Sequence, residues 1–267
     1  MSTTPSTLTP DLSGRRAPGL GGFSLTVFRL EVLRMLRNRR TMIIIVAFPV
    51  VFFLAFGLNS SYAGDKAGHG NVSAYIMISL ALYGAVFATT VGGAMVSIER
   101  AQGWSRQLRL TPLSPAAYIT TKVLTALILG LVPVLVTNLA GIAAQKPSMP
   151  GYLWLVSALC VWTGSLLFAA FGLFLGYLLP SENVMQYMSL ILTVLSFAGG
   201  LFIPLSQFPS AVQTVAKFTP LYGLNELVHA PLMGGGVSWT WPVNVVAWLV
   251  IFTAGAIWRF RGDTARV

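Results

Sequence analysis

The chain has 267 residues, of which 17 are Lys or Arg and 7 are Asp or Glu, only 9% charged. Ordinary soluble domains carry about 25%. With 55% hydrophobic residues and a mean hydropathy of +0.75, this chain cannot build a charged skin, which excludes a soluble enzyme and a disordered protein. The single Cys160 excludes a disulfide scaffold. At about 20 apolar residues per helical crossing, there is room for six spans and short connections.

Residues 1–22 are rich in Ser, Thr, Pro and Gly, with no apolar period. They read as a disordered cytoplasmic tail. The Arg15-Arg16 pair does not read as a twin-arginine signal, because small turn-forming residues follow it and the apolar run starts only at Met42. Residues 23–40 read as an amphipathic helix. Leu25, Phe28, Val32, Met35 and Leu36 share one face; Glu31, Arg34, Arg37 and Asn38 share the other. Such a helix beside a span lies in the interface plane, as an anchor or as a contact for a cytoplasmic partner.

Residues 41–260 form the membrane domain. Uncharged runs cover 41–64, 67–98, 123–145, 147–181, 183–216 and 227–258. A Lys or Arg at mid-bilayer costs about 2.5–3.5 kcal/mol on insertion scales, so six uncharged runs predict six transmembrane helices. Pro49 and Pro133 fall inside runs and are tolerated as kinks. Residues 261–267 are a short cytoplasmic tail. With the N-terminus inside, 14 Lys and Arg fall on cytoplasmic segments, and only Lys66, Lys146 and Lys217 fall outside. The positive-inside rule then places both termini in the cytoplasm of a multi-pass cell-membrane protein. The net charge of +10 is accounted for by topology, with no basic module for nucleic acid. Two formal glycosylation triplets, at Asn59 and Asn71, lie on outer segments and carry little weight.

Catalytic and metal motifs are missing. His69 and His229 are the only histidines, and neither an H-E-x-x-H pair nor a G-x-S-x-G elbow occurs. No residue is assigned as catalytic or as a metal ligand. There is no Gly-Lys dipeptide and hence no Walker loop; if ATP powers the protein, another subunit binds it. Polar stripes within the spans are more informative. Ser79, Tyr83, Thr90, Gly93 and Ser97 share a face of the second span; Gln186, Ser189, Thr193 and Ser196 share one in the fifth. Such stripes face either another helix or a water-filled path. As a path they suit neutral, amphiphilic cargo. Gly172 and Gly176 form a small-xxx-small helix contact.

The longest charged stretch between spans runs from Glu99 to Lys122. It contains Glu99, Arg100, Gly103, Trp104, Arg106, Leu108, Arg109, Pro112, Ser114 and Pro115. Trp104, Leu108 and Leu110 can pack against a partner, and the prolines end any helix there. Glu99, Gly103, Leu108, Pro112 and Ser114 resemble the loop pattern of permease subunits of the type-2 ABC exporter family. A second resemblance lies in Ser196 to Pro204, then Phe208-Pro209, Thr219-Pro220-Leu221-Tyr222-Gly223 and Gly234-Gly235, although Glu226 and His229 stand where the family often has a basic residue.

The resemblance covers residues 24–260. It implies an all-α integral membrane fold with six spans, a cytoplasmic coupling helix between spans two and three, and short re-entrant helices between spans five and six. It implies a drug- or lipid-like exporter working by alternating access. Glu99, Arg100, Gly103, Trp104, Arg106, Leu108, Arg109 and Pro112 would then meet the ATPase, with Glu182 as a second contact. Ser79, Tyr83, Thr90, Ser97, Gln186, Ser189, Thr193 and Ser196 would line the path. The implied partners are two copies of a cytoplasmic ABC ATPase, which carry ATP and Mg, a second permease copy or paralogue, and the lipid bilayer. No cofactor is expected on this chain. A polysaccharide or glycolipid exporter is the alternative cargo class; an ATP-independent channel or an intramembrane hydrolase would lie outside the family.

Overall fold

A computed structural model describes residues 19–58, 61–103 and 113–265. Ten helices are described: α1 (Leu25–Leu36), α2 (Arg39–Phe52), α3 (Val72–Ala101), α4 (Pro115–Ala144), α5 (Gly151–Gly164), α6 (Leu166–Leu178), α7 (Val184–Ala198), α8 (Ser210–Ala216), α9 (Pro220–Met233) and α10 (Thr240–Ala265). A two-stranded antiparallel hairpin, β1 (Lys66–Ala67) and β2 (Gly70–Asn71), precedes α3.

Capping residues set several boundaries. The Asn38 side chain accepts from the Thr41 amide at the start of α2, Asn71 accepts from Ala74 at the start of α3, and Ser114 accepts from Ala117 at the start of α4. Pro115 follows Ser114 at the first turn, where its missing N–H removes no helical bond. Pro49 sits inside α2, and a π-turn (Phe53–Gly57) follows it.

Five segments are long and apolar enough to cross a bilayer: Arg39–Gly57, Val72–Ala101, Ala116–Ala144, Gly151–Leu178 and Thr240–Phe260. α5 and α6 are the two halves of the fourth, separated only at Ser165. The last two uncharged runs depart from one helix each. In 183–216 the helix stops at Ala198, and Gly199-Gly200, Pro204 and Pro209 break the chain before α8. The 15 residues of α7 span about 22 Å, short of the ~30 Å hydrocarbon core. The run 227–258 is cut at Gly234–Gly236, where α9 ends in a left-handed glycine (φ 71°), and the last span begins at Thr240. An uncharged run marks exclusion from water, which a segment buried in protein satisfies as well as a span does. The final helix also runs on through Ala265.

α3 is the central post, packed mainly between α4 and α6, with α2, α5, α7 and α9 around it. Its two closest approaches depend on glycine. A Cβ on Gly172 would sit 2.2 Å from the Thr90 carbonyl oxygen, and one on Gly93 would sit 2.6 Å from the Ala169 carbonyl oxygen. Gly176 rests on Ala94. The small-xxx-small pair of α6 is thus its seam with α3. α2 and α10 are largely unenclosed, leaving Ile43, Ile44, Val246 and Val250 exposed.

The bundle has two distinct ends. At one, the C-terminus of α3, the N-terminus of α4, α1 and the C-termini of α6 and α10 meet. At the other lie the hairpin, residues 145–150 and the C-terminus of α9, where the His69 amide donates to the Leu232 carbonyl at 2.7 Å and Asn71 to Ser148 at 3.0 Å.

Candidate functional site

Among the described residues, the densest polar constellation sits at the end of the bundle where α3 stops and α4 begins. Glu99 reaches the last turn of α3 with 3% exposure. One of its carboxylate oxygens accepts from Lys122 Nζ at 2.5 Å and from Arg34; the other accepts from the Tyr118 hydroxyl at 2.7 Å. Glu31 closes the cluster by accepting from Lys122 and, at 2.8 Å, from Arg34. Four charges and one phenol therefore tie α1, α3 and α4 together. Burial works against the Arg34 charge, but Glu99 and Glu31 outweigh it and hold the guanidinium pKa above its ordinary value.

This arrangement re-orients α1. Glu31 and Arg34 are turned into the bundle, while Leu25 and Leu30 stand 72% and 62% exposed. Of the apolar stripe on α1, Met35 is buried, and of the polar stripe Glu31 and Arg34 are drawn into ion pairs with α3 and α4. Charge pairing with Lys122 and Glu99 outranks the hydrophobic stripe. A signal was present in the sequence: an acid closing one apolar run and a lysine opening the next call for a partner.

Arg100 points to the other side of α3. Its Nη1 donates to the Gly176 and Tyr177 carbonyls, each at 3.2 Å, and its guanidinium lies over the Tyr177 ring at 5.4 Å. Ser97 donates to the Leu179 carbonyl at 2.9 Å. Both residues hold the C-terminus of α6. Gly103 takes a left-handed turn (φ 74°) with open space around it. Glu182 is exposed in the turn between α6 and α7. Trp104, Arg106, Leu108, Arg109 and Pro112 lie outside the described residues. Of the expected ATPase contacts, the structure thus turns Glu99 and Arg100 inward.

The two polar stripes have different surroundings. In α3, Ser79, Tyr83, Thr90 and Ser97 are all buried. Thr90 donates to its own helix at Val86 and faces Gly172. In α7, Gln186, Ser189 and Thr193 are exposed, and Ser196 is buried, donating to Leu192. The Tyr83 phenol lies beside the Thr193 hydroxyl, which brings the stripes together at one point. Tyr83 also belongs to an aromatic ladder. Its ring is 4.8 Å from Phe48 and 5.2 Å from Phe202, which is 5.2 Å from Phe197. Spacing within one helix could not reveal this ladder, because α2, α3 and the turn after α7 each contribute to it.

His229 is buried at the α3–α9 contact. Its Nε2 is 3.1 Å from Ser79 Oγ, its Nδ1 is 2.9 Å from the Asn225 carbonyl, and its ring packs on Tyr75 at 4.1 Å. With Nδ1–H donating to that carbonyl, Nε2 accepts from Ser79, a hydrogen bond between helices in the manner of membrane interiors. Asn225 extends the connection by donating to the Gly199 and Gly200 carbonyls at the end of α7. Among the described residues, no three His, Cys, Asp or Glu gather as metal ligands do.

The comparisons with known proteins agree with this architecture. The ABC-2 type transporter family profile matches residues 24–233. The chain is similar to the "Putative transport permease YvfS" of Bacillus subtilis (strain 168), with 24% identity over 226 residues that cover 83% of this chain and 90% of that one. A multi-pass bundle centred on α3, matched from the start of α1 to the end of α9, identifies the chain as a member of the ABC-2 type transporter family, a transport membrane subunit.

Proposed function

We propose that this chain is the permease subunit of an ATP-driven exporter. Membership of the ABC-2 family over residues 24–233 is the observation that carries the reading. In this reading α7 is a short sixth crossing, α8 and α9 are re-entrant pieces on the outer side, and α1 lies at the inner surface. Both termini are then cytoplasmic, and the 102–114 loop with Glu182 faces two ATPase subunits that carry ATP and Mg. A second permease copy or a paralogue completes the pathway.

The cargo is amphiphilic. The exposed Gln186 amide and Ser189 hydroxyl sit on an otherwise apolar helix and need a polar neighbour in a membrane, while the Thr193 hydroxyl donates to the Ser189 carbonyl. Beside them Tyr83, Phe48, Phe197 and Phe202 offer ring surface. The same rings support a polysaccharide or glycolipid as the second reading, since sugars stack on aromatic faces.

The test is reconstitution of the permease with its ATPase in proteoliposomes, following ATP-dependent movement of an amphiphilic dye. Trp104→Ala with Leu108→Ala should release the ATPase and abolish transport. Transport that persists without the ATPase, or ATPase binding that is indifferent to this double variant, would overturn the assignment.

A further inference from the structure

The outward face of α1 has no partner among the described residues, and its chemistry is specific. Leu25 and Leu30 are exposed there, and Ile43 and Ile44 are exposed on the following helix, α2. Arg29, Arg37, Arg39 and Arg40 are exposed around it. Among the described residues no carboxylate pairs with any of the four; Glu31 and Glu99 are engaged by Arg34 and Lys122. Exposed leucines interleaved with arginines that have no acidic partner among the described residues, beside a membrane-crossing helix, have the form of an interfacial helix that takes negatively charged headgroups.

We propose that this face of α1 is a binding surface for anionic phospholipid, with the leucines among the upper acyl chains and the arginines on the phosphate layer. It rests on the membrane placement in the proposed function and not on ATP-driven export, so the two fail separately. The occupant is committed by charge complementarity with exposed Arg29, Arg37, Arg39 and Arg40. A protein partner would need to meet these four arginines with acids while covering the exposed leucines. The site also has a route inward. α1 carries Glu31 and the buried Met35 on its opposite face, with half-exposed Arg34 at the edge, so lipid held outside bears on the helix that closes the Glu99 cluster.

The test uses the full chain without any partner subunit. Purified protein is exchanged into micelles containing equal parts phosphatidylglycerol and phosphatidylcholine, and retained lipid is counted by native mass spectrometry. Each basic residue near an anionic layer weights the local lipid by about fivefold at low salt. Arg29→Gln with Arg37→Gln should therefore cut phosphatidylglycerol enrichment by about tenfold or more. Lys66→Gln with Lys217→Gln, at the opposite end of the bundle, should leave it unchanged. Phosphatidylglycerol should also raise the Tm of the wild type and not that of the arginine variant. Enrichment that survives the arginine change, or falls equally in the lysine control, overturns the proposal. If the arginine variant fails to fold, the wild type decides: enrichment must collapse near 0.5 M salt, where the Debye length shrinks to about 4 Å, and salt-independent enrichment overturns it. A fluorophore at Leu30→Cys, in a Cys160→Ala background, should be buried by phosphatidylglycerol alone. Burial only on adding the ATPase would assign the face to protein and overturn the lipid reading.

Discussion

Replacing Glu99 by Gln tests the cluster at the base of the 102–114 loop. The change keeps shape and one acceptor oxygen but removes a charge that answers Lys122, whose side chain is 4% exposed. Leaving one member of a buried ion pair uncompensated costs about 3–5 kcal/mol. Two features pull the value to the low end. Lys122 keeps Glu31 as a partner, and Arg34 is half exposed, so water screens its share. Converting the Tyr118 bond from a charged to a neutral acceptor returns about 1 kcal/mol to the cost. The expected loss is therefore about 3 kcal/mol, read as an unfolding equilibrium in mixed micelles. Adding Lys122→Met removes the stranded cation, and the double variant should recover more than half of the loss. If Glu99→Gln costs less than about 1 kcal/mol, or if the two changes simply add, the cluster is no buried ion-pair network and the reasoning fails.

Three further outcomes follow from the geometry. Gly172→Ala places a methyl 2.2 Å from the Thr90 carbonyl oxygen. It should cost about 3 kcal/mol or more, seen as loss of monodisperse protein, whereas Gly235→Ala, with open space around it, should be neutral. His229→Phe leaves the Ser79 hydroxyl without its partner and should cost about 2 kcal/mol; a companion Ser79→Ala should restore part of it in a double-mutant cycle. Asn71 should remain unglycosylated in microsomal translation, since its amide nitrogen donates to the Lys146 carbonyl and its oxygen caps α3; a glycan-sized mass shift that Asn71→Gln removes would refute the hairpin geometry.

Much of the bundle was legible in the sequence because the bilayer writes its constraint directly into composition. The first four uncharged runs end close to real helix ends, and the prolines, glycines and Ser114 sit where local sterics require them. The last two runs each hold more than one element, because absence of charge reports burial as well as crossing, and α9 is buried by protein: Leu221, Leu224 and Val228 are enclosed. The breaks at Gly199-Gly200 and Gly234–Gly236 are the signals in the sequence that set these short helices apart from a full-length crossing. The site was legible as residue types and not as directions. Glu99 and Arg100 stand out in the sequence as charged residues where an uncharged run ends, and were expected to contact an ATPase. That they face inward depends on Lys122, Arg34 and the α6 carbonyls, which are brought near only by tertiary packing. The contacts of Tyr83 with Phe48 and Phe202 likewise join elements that no single-helix periodicity connects.

Ser97 and Arg100 grip the last carbonyls of α6, and the 102–114 loop begins two residues later. The turn at 181–183 begins just after those same carbonyls. Two connections some 80 residues apart in sequence are thereby fastened to a single mooring. A partner gripping either one would draw on the same point, and a pull there reaches α7 through the short turn that leads into it. The two connections share one anchor, and only cutting both Ser97 and Arg100 from α6 would separate them.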